Sequence, residues 1–306
     1  MQDLERERRK ARNRQIFLCA CAGVLALTAA FFHAEAGHRI CGDMLAASST
    51  SKESDSGQSE SDASPDSMKS IRQSKTQIWL NSSQAKEGIQ APTFLALCFH
   101  EIRDDLPDDP LAVTTANLRK IIREFKDQGY VFLDSHDISA IKQGTLIQPQ
   151  KAVFLSFDDG YEDNYLNAFP ILREEGAKAT FFLVTSSIGQ ENRLTVAQIK
   201  EMVAAGMSIG SHTVNHDEMS LLNAKQVHSA LNDSKYTLEH DFGVKVDSLA
   251  YPRGYQTETA IDSAKEYYET AFTASMDEDT PDTMYTIHRF GVFRWNDSIA
   301  SIVANK

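Results

Sequence analysis

A mostly apolar segment that ends in two aspartates is the feature that most limits how this chain can fold. Residues 152–157 have the length of a buried strand, and Asp158, Asp159 and Gly160 follow directly. Glycine permits a sharp turn, so both carboxylates can face one cleft at the strand's end. In an α/β barrel the C-terminal strand ends carry the active site. Asp-Asp-Gly also occurs in ordinary turns, so this motif alone does not decide between the two interpretations.

A second motif favours a site. His212 and His216 are four residues apart in SHTVNH, after a strand-like stretch at 207–211. On a helical turn this spacing puts both imidazoles on one face, where two nitrogens can reach one metal ion. With Asp159 they would form a two-histidine, one-carboxylate site that keeps open positions for water and substrate.

Three motifs in this order carry a family resemblance. LSFDDG, SHTVNH and AYPRG, which contains Pro252, resemble the first three motifs of the carbohydrate esterase family 4 polysaccharide deacetylases. The stretch ALCFHEIRDD, which contains His100, is similar to the biofilm poly-β-1,6-N-acetylglucosamine N-deacetylases. The resemblance covers about the last two thirds of the chain, and motifs in this order are specific.

The resemblance implies a hydrolase that removes N-acetyl groups from a glycan with the help of a divalent metal. Asp159, His212 and His216 would be the metal ligands, and Asp158, beside them, the general base. We expect zinc, with cobalt, nickel, iron or manganese as alternatives that nitrogen and oxygen ligands also accept. The expected partner is an N-acetylglucosamine-containing polysaccharide.

Two histidines compete for the role of general acid. His100 follows a predicted strand at 94–99, and a protonated imidazole can donate to the leaving amine near neutral pH. The resemblance to the biofilm enzymes favours His100. His288, in TIHRFG, is the alternative because other branches of the family take the acid from a late motif.

The third motif predicts the oxyanion and substrate contacts. Pro252 fixes a turn, so the N–H of Arg253 can be aimed at the oxyanion. Many relatives have an aromatic residue where this chain has Arg253, which leaves only the backbone role intact. Tyr251 or Tyr255 could stack on a sugar ring, although packing in the core is an equally common use of such aromatics.

Strand and helix signals alternate through the last two thirds of the chain. Strands are predicted at 94–99, 131–133, 152–157, 179–184, 207–211 and 248–251, and helices at 114–128, 138–141, 164–175, 195–205, 224–239 and 259–268. This alternation predicts parallel strands with helices outside, an α/β fold. The family resemblance narrows the expectation to a distorted, incomplete (β/α) barrel of the polysaccharide deacetylase type.

The N-terminal third predicts attachment to a membrane. A basic segment at 1–15 precedes an uncharged apolar run at 16–32, a pattern typical of insertion with the N-terminus in the cytoplasm. We expect an uncleaved single-pass anchor, and hence a catalytic domain outside the cytoplasm. Ala34 and Ala36 form an A-x-A cleavage pattern, and cutting there would make the protein secreted instead.

The remaining composition sets the domain boundaries. Residues 33–90 contain a Ser-rich stretch that is too polar to fold, so we expect a disordered linker before a catalytic domain at 91–306. A net charge of −12 argues against nucleic acid as a partner. Of four cysteines only Cys98 lies in the predicted domain, so no disulfide framework exists there.

The sequence therefore predicts a membrane-tethered, metal-dependent N-deacetylase. Poly-β-1,6-N-acetylglucosamine is the preferred substrate. Peptidoglycan and chitin-like oligomers are near alternatives, and an esterase acting on O-acetylated xylan is a remote one. An alternative of another class is a non-catalytic glycan-binding module, which would be expected to have lost one of the four motif residues, Asp158, Asp159, His212 or His216.

Overall fold

The computed structural model describes residues 94–274 and 282–304. The predicted basic segment, anchor and linker lie outside these residues. Within the two described ranges, no helix is long and apolar enough to cross a membrane.

Strands and helices alternate in the described chain. The strands are β1 (Leu95–Phe99), β2 (Glu101–Ile102), β3 (Ala112–Val113), β4 (Val131–Leu133), β5 (Ala152–Phe157), β6 (Thr180–Leu183), β7 (Ser208–Ser211), β8 (Ser248–Ala250), β9 (Thr270–Thr273), β10 (Ile287–His288) and β11 (Phe290–Gly291). The α-helices are α1 (Thr115–Asp127), α2 (Ser135–Lys142), α3 (Phe169–Glu175), α4 (Val196–Ala204), α5 (Ala224–Phe242), α6 (Glu258–Tyr267) and α7 (Ile299–Val303).

The main sheet is parallel and nearly closed. Its strands run in the order β10, β9, β8, β7, β6, β5, β1, β11, with β4 also paired to β5. The two strands at the ends of this order, β10 and β11, are separated in the chain only by Arg289. The chain therefore passes from one end of the sheet to the other at this junction. An incomplete α/β barrel was predicted, and the parallel, nearly closed sheet confirms it.

Side chains alternate between the two faces of this curved sheet. One face packs under the helices in a large cluster to which β5 contributes Val153, Leu155 and Phe157. The other face lines the barrel interior, where Phe154 of β5 stacks on Phe272 of β9 with ring centroids 4.6 Å apart. Which face a residue occupies therefore follows from its odd or even position in the strand.

Helix starts are fixed by local hydrogen bonds that the sequence already contains. Thr114 caps α1 by accepting from the N–H of Asn117, and Asp134, Thr195 and Asn223 form capping boxes at the starts of α2, α4 and α5. These caps explain why most predicted helix boundaries agree with the structure within one to three residues.

The predicted elements differ from the structure in three places. The helix expected at 164–175 begins as a π-helical turn, Asn164–Ala168, and becomes α3 next to Pro170, which lacks the N–H that a continuous α-helix would use. β2, β3, β9, β10 and β11 were not predicted, and all of these except β9 are only two residues long. α7 was not predicted either.

Gly210 in β7 marks a point where the interior has no room for a side chain. A Cβ there would lie 2.5 Å from ring atoms of Phe182 and 2.8 Å from Ser248 Oγ. We therefore expect Gly210→Ala to lower the free energy of unfolding by about 1–3 kcal/mol, measured by urea denaturation. In a Phe182→Leu background the same substitution should cost less, because the obstructing ring atoms are gone. Equal costs in both backgrounds would contradict this packing.

Candidate active site

Three predicted site residues lie directly after the C-terminal ends of three strands, on the interior side of the barrel. His100 follows β1, Asp158 follows β5 and His212 follows β7, each in register with interior residues of its own strand. Parallel strands present their C-terminal ends on one side, so these side chains meet at one opening of the barrel.

Asp159, His212 and His216 have the donor set of a metal site. Asp159 Oδ1 lies 3.5 Å from His212 Nε2 and 3.3 Å from His216 Nε2. Donors bound to one zinc ion at about 2.0–2.2 Å lie about 3.3–3.6 Å apart in a tetrahedral arrangement. Asp159 Oδ1 is buried without a hydrogen-bond partner among the described residues. A cation would satisfy this oxygen, so the residues fit the metal that the sequence predicted.

The surroundings keep these groups in the forms that bind metal. His212 Nδ1 donates to the carbonyl of Ala250 at 2.8 Å, which leaves the lone pair on Nε2 directed at Asp159. Burial lowers the pKa of His216 and favours the neutral imidazole. The charge of Asp159 raises this pKa, but by less than burial lowers it. Burial would raise the pKa of Asp159, but the nearby His216 and His100 outweigh it and hold that pKa below its usual value.

Asp158 is held by a buried arginine. Arg289, which is fully buried, donates from Nη1 to Oδ1 at 2.7 Å and from Nη2 to Oδ2 at 2.8 Å. Cys98 Sγ lies 3.3 Å from Oδ2, and Ser156 Oγ accepts from Arg289 Nη1 at 2.9 Å. Burial would raise the pKa of Asp158, but the charge of Arg289 outweighs it, so the pKa lies well below its ordinary range. The carboxylate is therefore ionised and fixed in one orientation.

Backbone strain is concentrated in the loops of this site. Five described residues other than glycine have positive φ, namely Asp159, Asn192, Thr213, His216 and Arg253, with φ between 58° and 72°. The prediction placed His212 and His216 on a helical turn. The structure has instead a tight turn in which Thr213 and His216 are left-handed. Strain of this kind persists only where surrounding contacts hold it.

One loop holds the turn that carries Asp159. Arg193 donates from Nη1 to the carbonyl of Asp159 at 2.9 Å, and its guanidinium lies 4.1 Å from the ring centroid of Tyr161. The N–H of Leu194 donates to the carbonyl of Gly160 at 2.9 Å. These bonds hold the turn in which Asp159 and Gly160 have left-handed conformations.

The two candidate acids lie on different faces of the sheet. A ring nitrogen of His100 lies within 4.8 Å of both an oxygen of Asp158 and the sulfur of Cys98. His288 alternates with Ile287 and Arg289, both of which face the interior, so it faces outward. Its Nε2 is buried and receives no hydrogen bond from the described part of the chain.

The third motif is only partly where the sequence placed it. Arg253 occupies a constrained turn with φ of 59°, and its Nη1 lies 3.6 Å from Glu218 Oε2. The N–H groups of Gly254 and Tyr255 are used within the turn. Tyr251 was expected to contact substrate, but it is completely buried in the outer cluster, because it alternates with the interior residue Ala250. Its ring is not open to a sugar, whereas Tyr255 is exposed.

The acidic loop after His100 is mainly structural. Asp104 accepts from the N–H and hydroxyl of Thr115, Asp109 accepts from the N–H of Leu111, and Asp105 pairs with Arg103. Glu101 is different: burial, reinforced by Asp163 and Asp109, raises its pKa to about 7. This loop borders the opening without adding a ligand to the metal site.

Arg289 and Arg193 position the two aspartates. The sequence allowed Arg289 to close the last side of the barrel without settling its role, and it predicted nothing for Arg193. A signal for Arg289 existed, since an arginine among the apolar residues Ile287, Phe290 and Val292 is a candidate for burial, and a buried arginine requires a carboxylate partner. No comparable signal existed for Arg193, because its bond to a backbone carbonyl depends on how two loops fold together.

Comparisons with known proteins agree with this fold and site. Residues 146–271 match the family model described as polysaccharide deacetylase. YxkH of Bacillus subtilis, which is named as a protein of this type, is 34% identical over 198 residues, 64% of this chain and 70% of that protein. The poly-β-1,6-N-acetylglucosamine N-deacetylase of Staphylococcus epidermidis is 27% identical over 254 residues, 73% of this chain and 86% of that protein.

A solved structure shares the same architecture. The Streptococcus pyogenes deacetylase PplD, in complex with acetate, superposes with a TM-score of 0.62 at 27% identity, covering 69% of this chain and 97% of that one. The barrel carries two histidines and two aspartates at its opening, and three of these residues have the donor set of a metal centre. The chain belongs to the polysaccharide deacetylase family and is a hydrolase that acts on carbon–nitrogen bonds.

Replacing His212 and replacing Asp158 should have different effects on metal binding. His212→Ala removes a nitrogen donor, so bound metal and turnover should be lost together. Asp158→Asn should keep the metal and lower turnover by about a hundred- to ten-thousandfold, the usual contribution of a general base. Metal content per protein and amine release would be measured on the same samples. Full metal occupancy in His212→Ala would remove His212 from the ligand set.

The Arg289–Asp158 pair should be strongly coupled in stability. Arg289→Met leaves a buried, unpaired carboxylate and should lower the free energy of unfolding by about 3–5 kcal/mol. Adding Asp158→Asn should recover part of this loss, because the uncompensated charge is gone. Denaturant unfolding of both single variants and the double variant measures the coupling, and strict additivity would exclude the pair as a stabilising contact.

Proposed function

We propose that this protein is a metal-dependent N-deacetylase that acts on poly-β-1,6-N-acetylglucosamine outside the cytoplasm. The observation that carries the proposal is that the ligand atoms of Asp159, His212 and His216 converge, with Asp159 Oδ1 lacking a hydrogen-bond partner among the described residues. Asp158, which is bound by Arg289, lies next to them.

Each residue has a distinct task in amide hydrolysis. A divalent metal held by Asp159, His212 and His216, zinc in our proposal, would supply Lewis-acid polarisation of the acetyl carbonyl and activation of water. Asp158 would accept the proton of the attacking water, and Arg289 keeps its carboxylate ionised and oriented. The N–H of Arg253 would donate to the oxyanion.

His100 is our candidate for the acid that protonates the leaving amine. Its position near Asp158 on the interior face supports this role, and the outward direction of His288 argues against the alternative. The leaving amine forms at the metal centre, on the interior side of the barrel, so the acid that protonates it must also lie on that side.

The substrate assignment rests on likeness to named relatives. The alignment with the Staphylococcus epidermidis poly-β-1,6-N-acetylglucosamine N-deacetylase covers 73% of this chain and 86% of that protein. Peptidoglycan and chitooligosaccharides remain the competing substrates, because the same centre would hydrolyse their acetamides. A binding module without catalysis is the competing class, and the intact set of four motif residues argues against it.

Anchoring in the cell membrane is part of the proposal. The basic segment at 1–15 and the apolar run at 16–32 support a single-pass anchor with the catalytic domain outside, and cleavage after the Ala-x-Ala pattern would release the same domain.

The full-length protein should release free amines from β-1,6-linked N-acetylglucosamine oligomers. Chelator should abolish the release, and re-added zinc should restore it, because three donors alone do not activate water. Chitin oligomers and peptidoglycan serve as parallel substrates. Release only from chitin oligomers or only from peptidoglycan would make that glycan the substrate instead. No release from any of the glycans by metal-loaded protein would contradict the enzyme assignment.

The two histidines should behave differently when replaced. His100→Ala should lower turnover by about a hundredfold or more with metal still bound, because the leaving amine loses its proton donor. His288→Ala should leave turnover near the wild-type value. Amine release and metal content would be compared for the two variants, and the reverse ranking would transfer the acid role to His288.

A further inference from the structure

An exposed aromatic pair lies beside the opening of the barrel. Phe293 and Trp295 stack with ring centroids 4.9 Å apart and an interplanar angle of 14°. Trp295 is 51% exposed, although burying an indole would be favourable. The pair has no role in the chemistry described above.

The register of the sheet places this pair on the side of the site. β11 pairs with β1 so that Gly291 lies opposite Cys98, and the N–H of Val292 donates to the carbonyl of Cys98 at 2.9 Å. If this register is continued for two more residues along both strands, Phe293 lies level with His100. Val292 packs in the outer cluster, so the alternation directs Phe293 to the interior side, at the opening.

The loop that carries the pair is held firmly. Arg294 donates through its guanidinium to the carbonyls of Arg103, Asp104 and Ala112, and through its N–H to that of Pro110. Asn296 accepts from the N–H of Phe293 at 2.8 Å and donates to the carbonyl of Ser301. The indole is therefore exposed on an ordered loop and loses little freedom when a ligand covers it.

We infer that Trp295, backed by Phe293, is a subsite for a pyranose ring of the same glycan chain whose acetamide is hydrolysed at the metal centre. The inference rests on the proposed function. The flat, apolar face of the exposed indole fits the C–H face of a sugar ring. The ring on Trp295 is a neighbour of the reacting sugar, so the subsite adds affinity for longer chains.

The kinetic test compares Trp295→Ala with Trp295→Phe and a matched control, Tyr236→Ala. Tyr236 is an exposed aromatic on the outer helix α5, stacked on His240. On long oligomers of the glycan that the wild type deacetylates, Trp295→Ala should raise KM by about three- to tenfold with kcat unchanged. Trp295→Phe should be intermediate, and Tyr236→Ala should match the wild type.

The length of the oligomeric substrate distinguishes loss of a subsite from a general loss of activity in Trp295→Ala. The shortest oligomer that the wild type turns over should show a much smaller KM effect in Trp295→Ala. An equal effect at every length, or wild-type kinetics on long oligomers, would overturn the subsite.

A binding measurement tests the subsite without turnover. The chain has two tryptophans, so a Trp79→Phe variant leaves Trp295 as the only indole. With chelator present, long N-acetylglucosamine oligomers should change its fluorescence saturably, and no change at any concentration would overturn the inference. Absence of amine release by the wild type would instead count against the proposed function, so the two failures are distinguishable.

Discussion

The bidentate contact between Arg289 and Asp158 joins the fold of this protein to its chemistry. Arg289 lies between β10 and β11, at the two open ends of the sheet, and reaches across the interior to a carboxylate at the end of β5. A buried charge without its partner is costly, so the pair is stable only when the sheet is nearly closed. The pairing of β1 with β5, in which Phe99 lies opposite Phe157, separately brings His100 beside Asp158.

The alternation of side chains in the strands explains most of what the sequence could predict. The apolar run of β5 and the aspartates after it define both a strand and the interior end of that strand. His100 and His212 follow strands in the same way. These assignments need only the two-residue period and the rule that parallel strands end on one side.

Other features depend on contacts that no local pattern records. Tyr251 was expected to contact substrate at the opening, but it is buried under the helices on the outer face of the sheet. The preceding strand has only three residues, which is too few to show from the sequence which face each side chain occupies. The turn with His212 and His216 relies on left-handed residues other than glycine, which are held by neighbouring loops rather than by their own preference. Arg193 likewise acts through a carbonyl whose position only the folded chain defines.

The pairing of β11 with β1 has a consequence for how the protein acquires its activity. It joins the first and last strands of the main sheet, so closure requires contacts between distant parts of the chain, which form slowly. A ribosome-bound chain that ends before β10 would hold both aspartates and both motif histidines yet lack Arg289 beside Asp158. Hydrolysis would therefore begin only after synthesis has passed the last strand.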